Sequence, residues 1–145
     1  MRNLTFSIKT DAPVNKIWII ISDINSYHKY IKYCHKSKLV GDFKEGSSWY
    51  DWSTVVFLPL KINHLIIKII PGKQIGYLIK TPFGEIRQKI TIKKGKKTLL
   101  RLDVTINFPN WLIDKTLGNF VYLRNYQMLK TTMKNYKDDF KDIED

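Results

Sequence analysis

The chain has 145 residues, of which 43% are hydrophobic, 25 are Lys or Arg and 13 are Asp or Glu, for a formal net charge of +12. This length predicts one domain, residues 1–145, with a core large enough to need no cross-link, and the single cysteine excludes an intramolecular disulfide framework. The N-terminal segment lacks the apolar region of a signal peptide, and no apolar run is long enough to span a bilayer. We therefore expect a cytoplasmic protein in which Cys34 is a small core residue.

The positive charge is unevenly distributed along the chain. Residues 137–145 carry two lysines and five acids, net −3, which leaves +15 for the other 136 residues. A body with this charge is attracted to anionic surfaces, so an anionic membrane surface, a ribosome or RNA are candidate partners. The alternative explanation is compositional, because an A/T-rich genome encodes Lys and Ile often.

In chain order, the first elements are a strand and two short helices. Leu4, Phe6 and Ile8 alternate with polar residues, as in a half-buried strand. The segment APVNKIWIIISDINSYHKYIKYC, residues 12–34, then carries two apolar sets at helical spacing: Val14, Ile17, Trp18 and Ile21, followed by Tyr27, Tyr30, Ile31 and Cys34. We predict two short helices that close one end of a sheet.

Residues 36–107 have the period of strands, with turn signals at GDFKEGS, LPL, PGK, TPFG and KKGKK. From residue 111 to about residue 140 the period is helical again, with Asn110 as its N-cap and Gly118 as a bend or a point of close approach. This order predicts an α+β fold. In it a curved antiparallel sheet of about seven strands wraps around the long C-terminal helix, which buries one face of the sheet.

Short turns at these signals predict which strand residues share a face. Turns at residues 59–60 and 71–73 pair Trp52 with Ile67 and Ile67 with Tyr77, and the next two turns pair Tyr77 with Gln88 and Gln88 with Val104. The flanking apolar layers are Thr54, Leu65, Ile79, Ile86 and Ile106, and Tyr50, Ile69, Ile75, Ile90 and Leu102. The opposite, solvated face collects Asp51, Ser53, Lys68, Lys80, Glu85, Arg87, Lys89, Arg101 and Asp103, with His64, Ile66 and Leu78 as its exceptions.

With these elements in place, the chain resembles the START-like (SRPBCC, helix-grip) superfamily, in its polyketide cyclase and coenzyme-Q-binding protein branches. The resemblance covers essentially the whole chain. It is carried by residues 12–34 after one strand, by TPFGEIRQKITI, and by INFPNWLIDKTLGNF before the long helix. SYHKYIKYC followed by KSKLV looks most like the coenzyme-Q-binding and ribosome-association-toxin branch. The resemblance implies a deep apolar cavity between the sheet and the last helix that holds a lipid-like or polycyclic ligand, and no cofactor chemistry.

The sequence contains none of the motifs HExxH, CxxC or GxSxG. GDFKEGSS has the glycine spacing of a phosphate-binding loop but lacks its lysine and lies between two strands, so it is a hairpin loop. His28 and His35 are seven residues apart and His64 is alone on a strand, so we expect no metal site and no cofactor. We expect Asp51, Arg101 and Asp103 to form a solvated cluster on the outer face.

These observations predict a non-catalytic binder or carrier of a hydrophobic small molecule such as a lipid, a quinone or a polyketide-like compound. In the predicted cavity, Gln88 lies beside Tyr77. Either Tyr77 and a water satisfy the Gln88 amide locally, or both side chains face the cavity and hold the polar head of the ligand. The expected cavity residues are Tyr50, Trp52, Thr54, Leu65, Ile67, Tyr77, Ile79, Ile86, Gln88, Val104, Phe120, Val121 and Met128.

Two alternatives stay open. A cyclase- or dehydratase-like enzyme on the same cavity needs an internal titratable group, and the expected lining offers only Tyr50 and Tyr77. A basic ribosome- or RNA-associated protein needs aromatic side chains interleaved with basic ones on an exposed sheet face. Because Tyr50, Trp52 and Tyr77 fall on the predicted apolar face, the pattern favours a cavity over a stacking platform.

Overall fold

The computed structural model describes residues 1–55, 57–81 and 84–144. The elements in chain order are β1 (Arg2–Thr10), α1 (Val14–Ser22), a 3₁₀ helix (Ile24–Lys29), β2 (Cys34–Val40), β3 (Ser48–Val55), β4 (Leu58–Ile70), β5 (Gln74–Thr81), β6 (Gly84–Lys93), β7 (Thr98–Asn107) and α2 (Trp111–Lys141). The predicted α+β helix-grip fold is confirmed. The second short helix differs from the prediction, because it is a 3₁₀ helix and Cys34 already belongs to β2.

The strands form one antiparallel sheet in the order β1-β7-β6-β5-β4-β3-β2. Its inward face packs on α2, α1 and the 3₁₀ helix, and together they bury a single core. Burying one Leu or Ile side chain contributes about 1.5–3 kcal/mol, so this core is the main source of stability. The largest completely buried apolar side chains are Trp49, Tyr77, Phe140, Ile17, Ile21, Ile24, Ile66, Ile75, Leu100, Ile106 and Val104.

The register of β5, β6 and β7 is as predicted. Tyr77 pairs with Gln88, and Gln88 pairs with Val104. The predicted turn between β5 and β6 falls on residues 82–83, which lie outside the described residues.

The register of β3 and β4 differs from the prediction in two respects. The LPL segment belongs to β4, so Trp52 pairs with Lys61 instead of Ile67. In addition, Ile66 pairs with Tyr77 and Lys68 with Gly76, which leaves Ile67 as the extra residue of a β-bulge. The first error shifts the partner of Trp52 by six residues. Because six is an even number and side chains alternate with a period of two, this error leaves every side chain on its predicted face of the sheet. The extra residue of the bulge changes which side chains point inward. The change affects β3 and the part of β4 that precedes the bulge.

The long helix begins at its predicted cap. The Asn110 side-chain oxygen accepts a hydrogen bond from the Ile113 backbone N–H at 2.9 Å. Eight residues after this cap, Gly118 is a point of close approach, since a Cβ there would lie 2.8 Å from Asp114 Oδ1 and 3.3 Å from Arg2 Nη2. Arg2 Nε donates to Asp114 Oδ1 at 2.7 Å, so this glycine leaves room for an ion pair that ties α2 to β1.

None of the described helices combines the length and the apolar character that crossing a bilayer would require.

Candidate functional site

A cavity of about 560 Å³ lies between the inward face of the sheet and α2. Its walls come from β3 to β7, from α2, from Ile21 of α1, from Tyr27 in the 3₁₀ helix and from Ile31 just after it. At one end it is bordered by Leu60 and Phe120, which are 44% and 48% exposed, so the cavity reaches the surface between the start of β4 and the first half of α2. We call this end the mouth.

The structure brings part of the predicted lining together. Tyr77, Ile79, Ile86, Gln88, Phe120, Val121 and Met128 line the cavity. Val104 packs in the closed core, where it is 1% exposed. The assignment of five further residues to the cavity wall is wrong, because the bulge turns their side chains to the opposite face of the sheet: Tyr50, Trp52, Thr54, Leu65 and Ile67.

The same reversal brings a polar cluster into the cavity wall. Asp51 and Ser53 were expected on the solvated face, with His64 as an exception there, yet they are 5%, 5% and 4% exposed. All three line the cavity together with Trp49. Sequence reasoning missed them because polar residues at alternate positions of adjacent strands are also the ordinary pattern of a solvated face. Of the expected outer cluster, Arg101 and Asp103 do pair with each other, at 3.0 Å.

Hydrogen bonds fix the geometry of this cluster. Ser53 Oγ donates to Asp51 Oδ1 at 2.6 Å, and His64 Nε2 lies 2.6 Å from Asp51 Oδ2. A carboxylate only accepts, so the imidazole donates from Nε2. The Trp49 ring stacks on the His64 ring with centroids 3.7 Å apart and planes 11° apart. Within the described residues, His64 Nδ1 and Trp49 Nε1 are both buried without a hydrogen-bond partner.

Two buried tyrosines close the inner end of the cavity. Tyr27 donates its hydroxyl hydrogen to the Ile21 carbonyl, and the hydroxyl oxygens of Tyr27 and Tyr77 lie 2.6 Å apart. Burial raises the pKa of both phenols well above the ordinary value, so both stay protonated. The helical pair therefore closes the cavity end and also supplies the hydrogen-bond partner of Tyr77.

Gln88 lies beside Tyr77 in the register but does not share its hydrogen bond. The Tyr77 hydroxyl is bonded to Tyr27, and no side-chain hydrogen bond of Gln88 is found in the described part of the chain. Because Gln88 lines the cavity, its amide is a polar group available to a ligand.

The remaining candidate residues lie apart from the cavity. His28 Nδ1 lies 3.4 Å from Ser37 Oγ, and His35 Nε2 lies 2.6 Å from Thr54 Oγ1. Burial raises the pKa of the Cys34 thiol to about 11. Cys34 is therefore a neutral thiol packed in the structure, without the character of an activated nucleophile.

Exposed apolar side chains occur on the two segments that border the mouth, at the start of β4 and in the first half of α2. Phe57 is 92% exposed and Trp111 is 69% exposed. Lys61, Lys80 and Lys115 are exposed at the same end of the sheet and of α2. We call the following residues the mouth rim: Phe57, Leu58, Leu60, Trp111, Leu112 and Phe120.

The outer face of the sheet carries a second feature. Lys61 Nζ lies 4.2 Å from the centroid of the Tyr50 ring and 5.3 Å from that of Trp52, and Lys36 Nζ lies 5.2 Å from Trp52. Tyr50 and Trp52 are therefore interleaved with basic residues on the outer face. Aromatic side chains interleaved with basic ones on an exposed sheet face are what single-stranded nucleic-acid binding requires. The sequence pattern had predicted both aromatic residues on the apolar face instead.

The chain is similar to known proteins in its fold and in its family. No curated protein matches the chain. Ara h 8.0201 has a similar structure, with a TM-score of 0.75, 13% identity and coverage of 97% of this chain and 98% of that one. The di-domain ARO/CYC BexL from the BE-7585A biosynthetic pathway has a TM-score of 0.79 at 13% identity, over 94% of this chain and 49% of that one. A START superfamily protein from Mycobacterium smegmatis has a TM-score of 0.66 at 14% identity, over 94% and 97% of the two chains.

These identities are low enough that the structures show a common fold and nothing more. The sequence itself matches the family described as polyketide cyclase / dehydrase and lipid transport over residues 10–132, which include both short helices, β2 to β7 and most of α2. The chain therefore belongs to this START-like family.

Proposed function

We propose that the protein binds and carries a hydrophobic small molecule, such as a lipid, a quinone or a polyketide-like compound, in the cavity between the sheet and α2. The observation that carries this proposal is a cavity of about 560 Å³ whose wall is mainly aliphatic and aromatic. Ligand cavities are typically about 300–1,000 Å³, with a few polar groups in an apolar wall. Gln88 and the Asp51–His64 pair are such groups here.

Native mass spectrometry of the purified protein, followed by organic extraction, tests this proposal. We expect bound mass that is removed by the solvent. Ile86→Trp fills the cavity and should abolish that mass, whereas Arg87→Trp adds the same side chain on the exposed outer face and should retain it. An unloaded wild-type protein that also takes up no added apolar dye would contradict the proposal.

The mouth rim supports an anionic membrane surface as the source of the ligand. Large exposed apolar patches mark interaction sites, and this one borders the opening of the cavity. The exposed lysines at the same end suit anionic headgroups. A hydrophobic ligand could then pass from the bilayer into the cavity without crossing water.

The ribosome- or RNA-associated alternative gains one observation, namely the lysines beside Tyr50 and Trp52. Nucleic-acid binding would use the outer face of the sheet and leave the mouth rim unused. It should therefore be lost in a Tyr50→Ala/Trp52→Ala variant, which keeps the lysines at the mouth, and retained in variants of the mouth rim.

The cyclase- or dehydratase-like alternative also gains an observation. The expected lining lacked a titratable group other than tyrosine, but the structure places Asp51 and His64 in the cavity wall. An enzyme would change the mass of a bound compound, whereas a carrier returns it unaltered. Mass spectrometry of the extracted compound before and after incubation with the protein separates the two.

A further inference from the structure

The polar cluster of Trp49, Asp51, Ser53 and His64 is costly as a purely structural feature. Desolvating a carboxylate and an imidazole costs several kcal/mol. Replacing such a buried pair by well-packed apolar residues often leaves the stability of a protein unchanged or raises it. Moreover, two polar atoms of the cluster, His64 Nδ1 and Trp49 Nε1, stay unpartnered within the described residues. A buried polar atom without a partner costs about 1–3 kcal/mol. The cluster therefore resembles a prepared site more than a self-contained one.

Its hydrogen bonds define what each unpartnered atom offers. Asp51 accepts from Ser53 through Oδ1 and from His64 through Oδ2, which fixes the imidazole and places its proton on Nε2. In the neutral imidazole this leaves a lone pair on Nδ1, which accepts a hydrogen bond. Trp49 Nε1–H only donates. Both residues line the cavity and their rings are stacked at 3.7 Å, so one acceptor and one donor lie in adjoining rings. Each of the two nitrogen atoms is covered by protein, so a ligand reaches it only after a small side-chain shift.

We propose that this cluster is a subsite for a hydroxyl group, alcoholic or phenolic, of an otherwise apolar ligand. The hydroxyl donates its hydrogen to His64 Nδ1, and its oxygen accepts from Trp49 Nε1–H. The inference rests on the proposed function, since it needs a ligand in the cavity. Asp51 acts through His64, as a positioning residue that holds the imidazole and its proton in place.

With a neutral His64 imidazole, the donor and acceptor pattern favours a hydroxyl over other polar groups, because only a hydroxyl engages both nitrogen atoms. A ketone or a quinone carbonyl has no proton to give to Nδ1, and a carboxylate would also face the buried Asp51 charge. An ammonium group cannot accept from Trp49. Among quinone-like ligands, the subsite therefore selects the hydroxylated, reduced form.

Two fluorescent probes of nearly equal shape test the subsite. 1-Hydroxypyrene carries a hydroxyl where 1-methylpyrene carries a methyl group, and the dissociation constant of each is measured by titration. Asp51→Leu/His64→Phe replaces the whole pair by apolar side chains and keeps a ring stacked on Trp49. We expect this variant to lower the preference for the hydroxyl probe by about fivefold to tenfold relative to wild type, the equivalent of one hydrogen bond. Lys89→Leu, on the exposed outer face of β6, should leave that preference unchanged.

A second measurement keeps the test independent of that variant's folding. In wild-type protein, the ¹⁵N resonance of His64 Nδ1 should move when 1-hydroxypyrene binds and stay in place when 1-methylpyrene binds, with His28 and His35 as internal references. Trp49→Phe should lower the hydroxyl preference by itself. The subsite is refuted if both probes bind and neither the preference nor the resonance responds. If neither probe binds wild-type protein, the proposed function fails first and the subsite fails with it.

Discussion

At the scale of single residues, the Gln88 side chain is a candidate for binding the polar group of the ligand. Its amide lines the cavity, and no side-chain partner is found among the described residues. We predict that Gln88→Leu retains the fold or gains up to about 1 kcal/mol of stability, since an unpartnered amide is removed, and binds the extracted ligand several-fold more weakly. Urea denaturation and ligand titration measure the two effects. Lys89→Leu, exposed on the same strand, is the control, and an unchanged affinity in Gln88→Leu would show that the ligand's polar group is held elsewhere.

Cys34 gives a prediction that depends on pH. Burial, and next the charge of Asp51, raise the pKa of its thiol from 9.0 to about 11. The thiolate is the reactive form, so we expect alkylation by iodoacetamide at pH 8 to be about 100-fold slower in the folded protein than in urea.

The same shift links Cys34 to stability. A raised folded pKa means that the neutral thiol stabilises the fold fully below pH 9, and that this contribution is lost as the pH rises toward about 11. Cys34→Ser should lack this part of the alkaline decline in the free energy of unfolding. Equal alkylation rates in the folded and unfolded protein would show that the thiol is accessible and not shifted.

At the scale of elements, the register of β5, β6 and β7 was predicted correctly, whereas the inward faces of β3 and β4 were not, because of a single bulge. In β5 to β7 the short turns and the placement of Tyr77, Gln88 and Val104 determine the register. In β4 the run of Ile and Leu is apolar on both faces, so its pattern does not reveal the extra residue at Ile67. That bulge hid the Asp51–His64 pair, and with it the polar part of the candidate site.

The junction between β1 and α2 provides a test at the same scale. Gly118→Ala gains about 1 kcal/mol of helix propensity, but its Cβ would lie 2.8 Å from Asp114 Oδ1, which already accepts from Arg2. We predict that the clash offsets the gain, so that the variant is no more stable than wild type. In an Asp114→Ala background the same glycine substitution should be more favourable, by up to about 1 kcal/mol. Urea denaturation of the four proteins measures this coupling, and an equal effect in both backgrounds would exclude it.

At the scale of the whole molecule, exposed apolar groups are concentrated at one end, whereas positive charge lies at both ends. The mouth rim and its lysines lie where α2 begins. Where α2 ends, the acidic residues 137–144 lie beside the lysines of the turn between β6 and β7, since Lys97 pairs with Asp11 at 3.5 Å. There Glu144 accepts hydrogen bonds from the Thr10 hydroxyl at 2.6 Å and from the Asp11 backbone N–H at 3.0 Å. These lysines offset the acidic segment, so the exposed apolar mouth rim, and not the charge, distinguishes the end expected to meet a membrane surface.

The mouth rim and the net charge of +12 together predict how the protein binds vesicles. Binding to vesicles with anionic lipid should exceed binding to neutral ones, and should weaken steeply from about 50 to 200 mM salt as the Debye length shrinks. Because the rim enters the interface, Phe57→Ser and Trp111→Ser should each reduce binding several-fold. Ile19→Ser and Val40→Ser, which remove side chains 65% and 49% exposed elsewhere, should not reduce binding.

Equal binding to neutral and anionic vesicles would assign the lysines a solubilising role alone. Salt-sensitive binding to RNA that the rim variants leave intact, together with no binding to vesicles, would favour the outer face of Tyr50 and Trp52 as the functional surface.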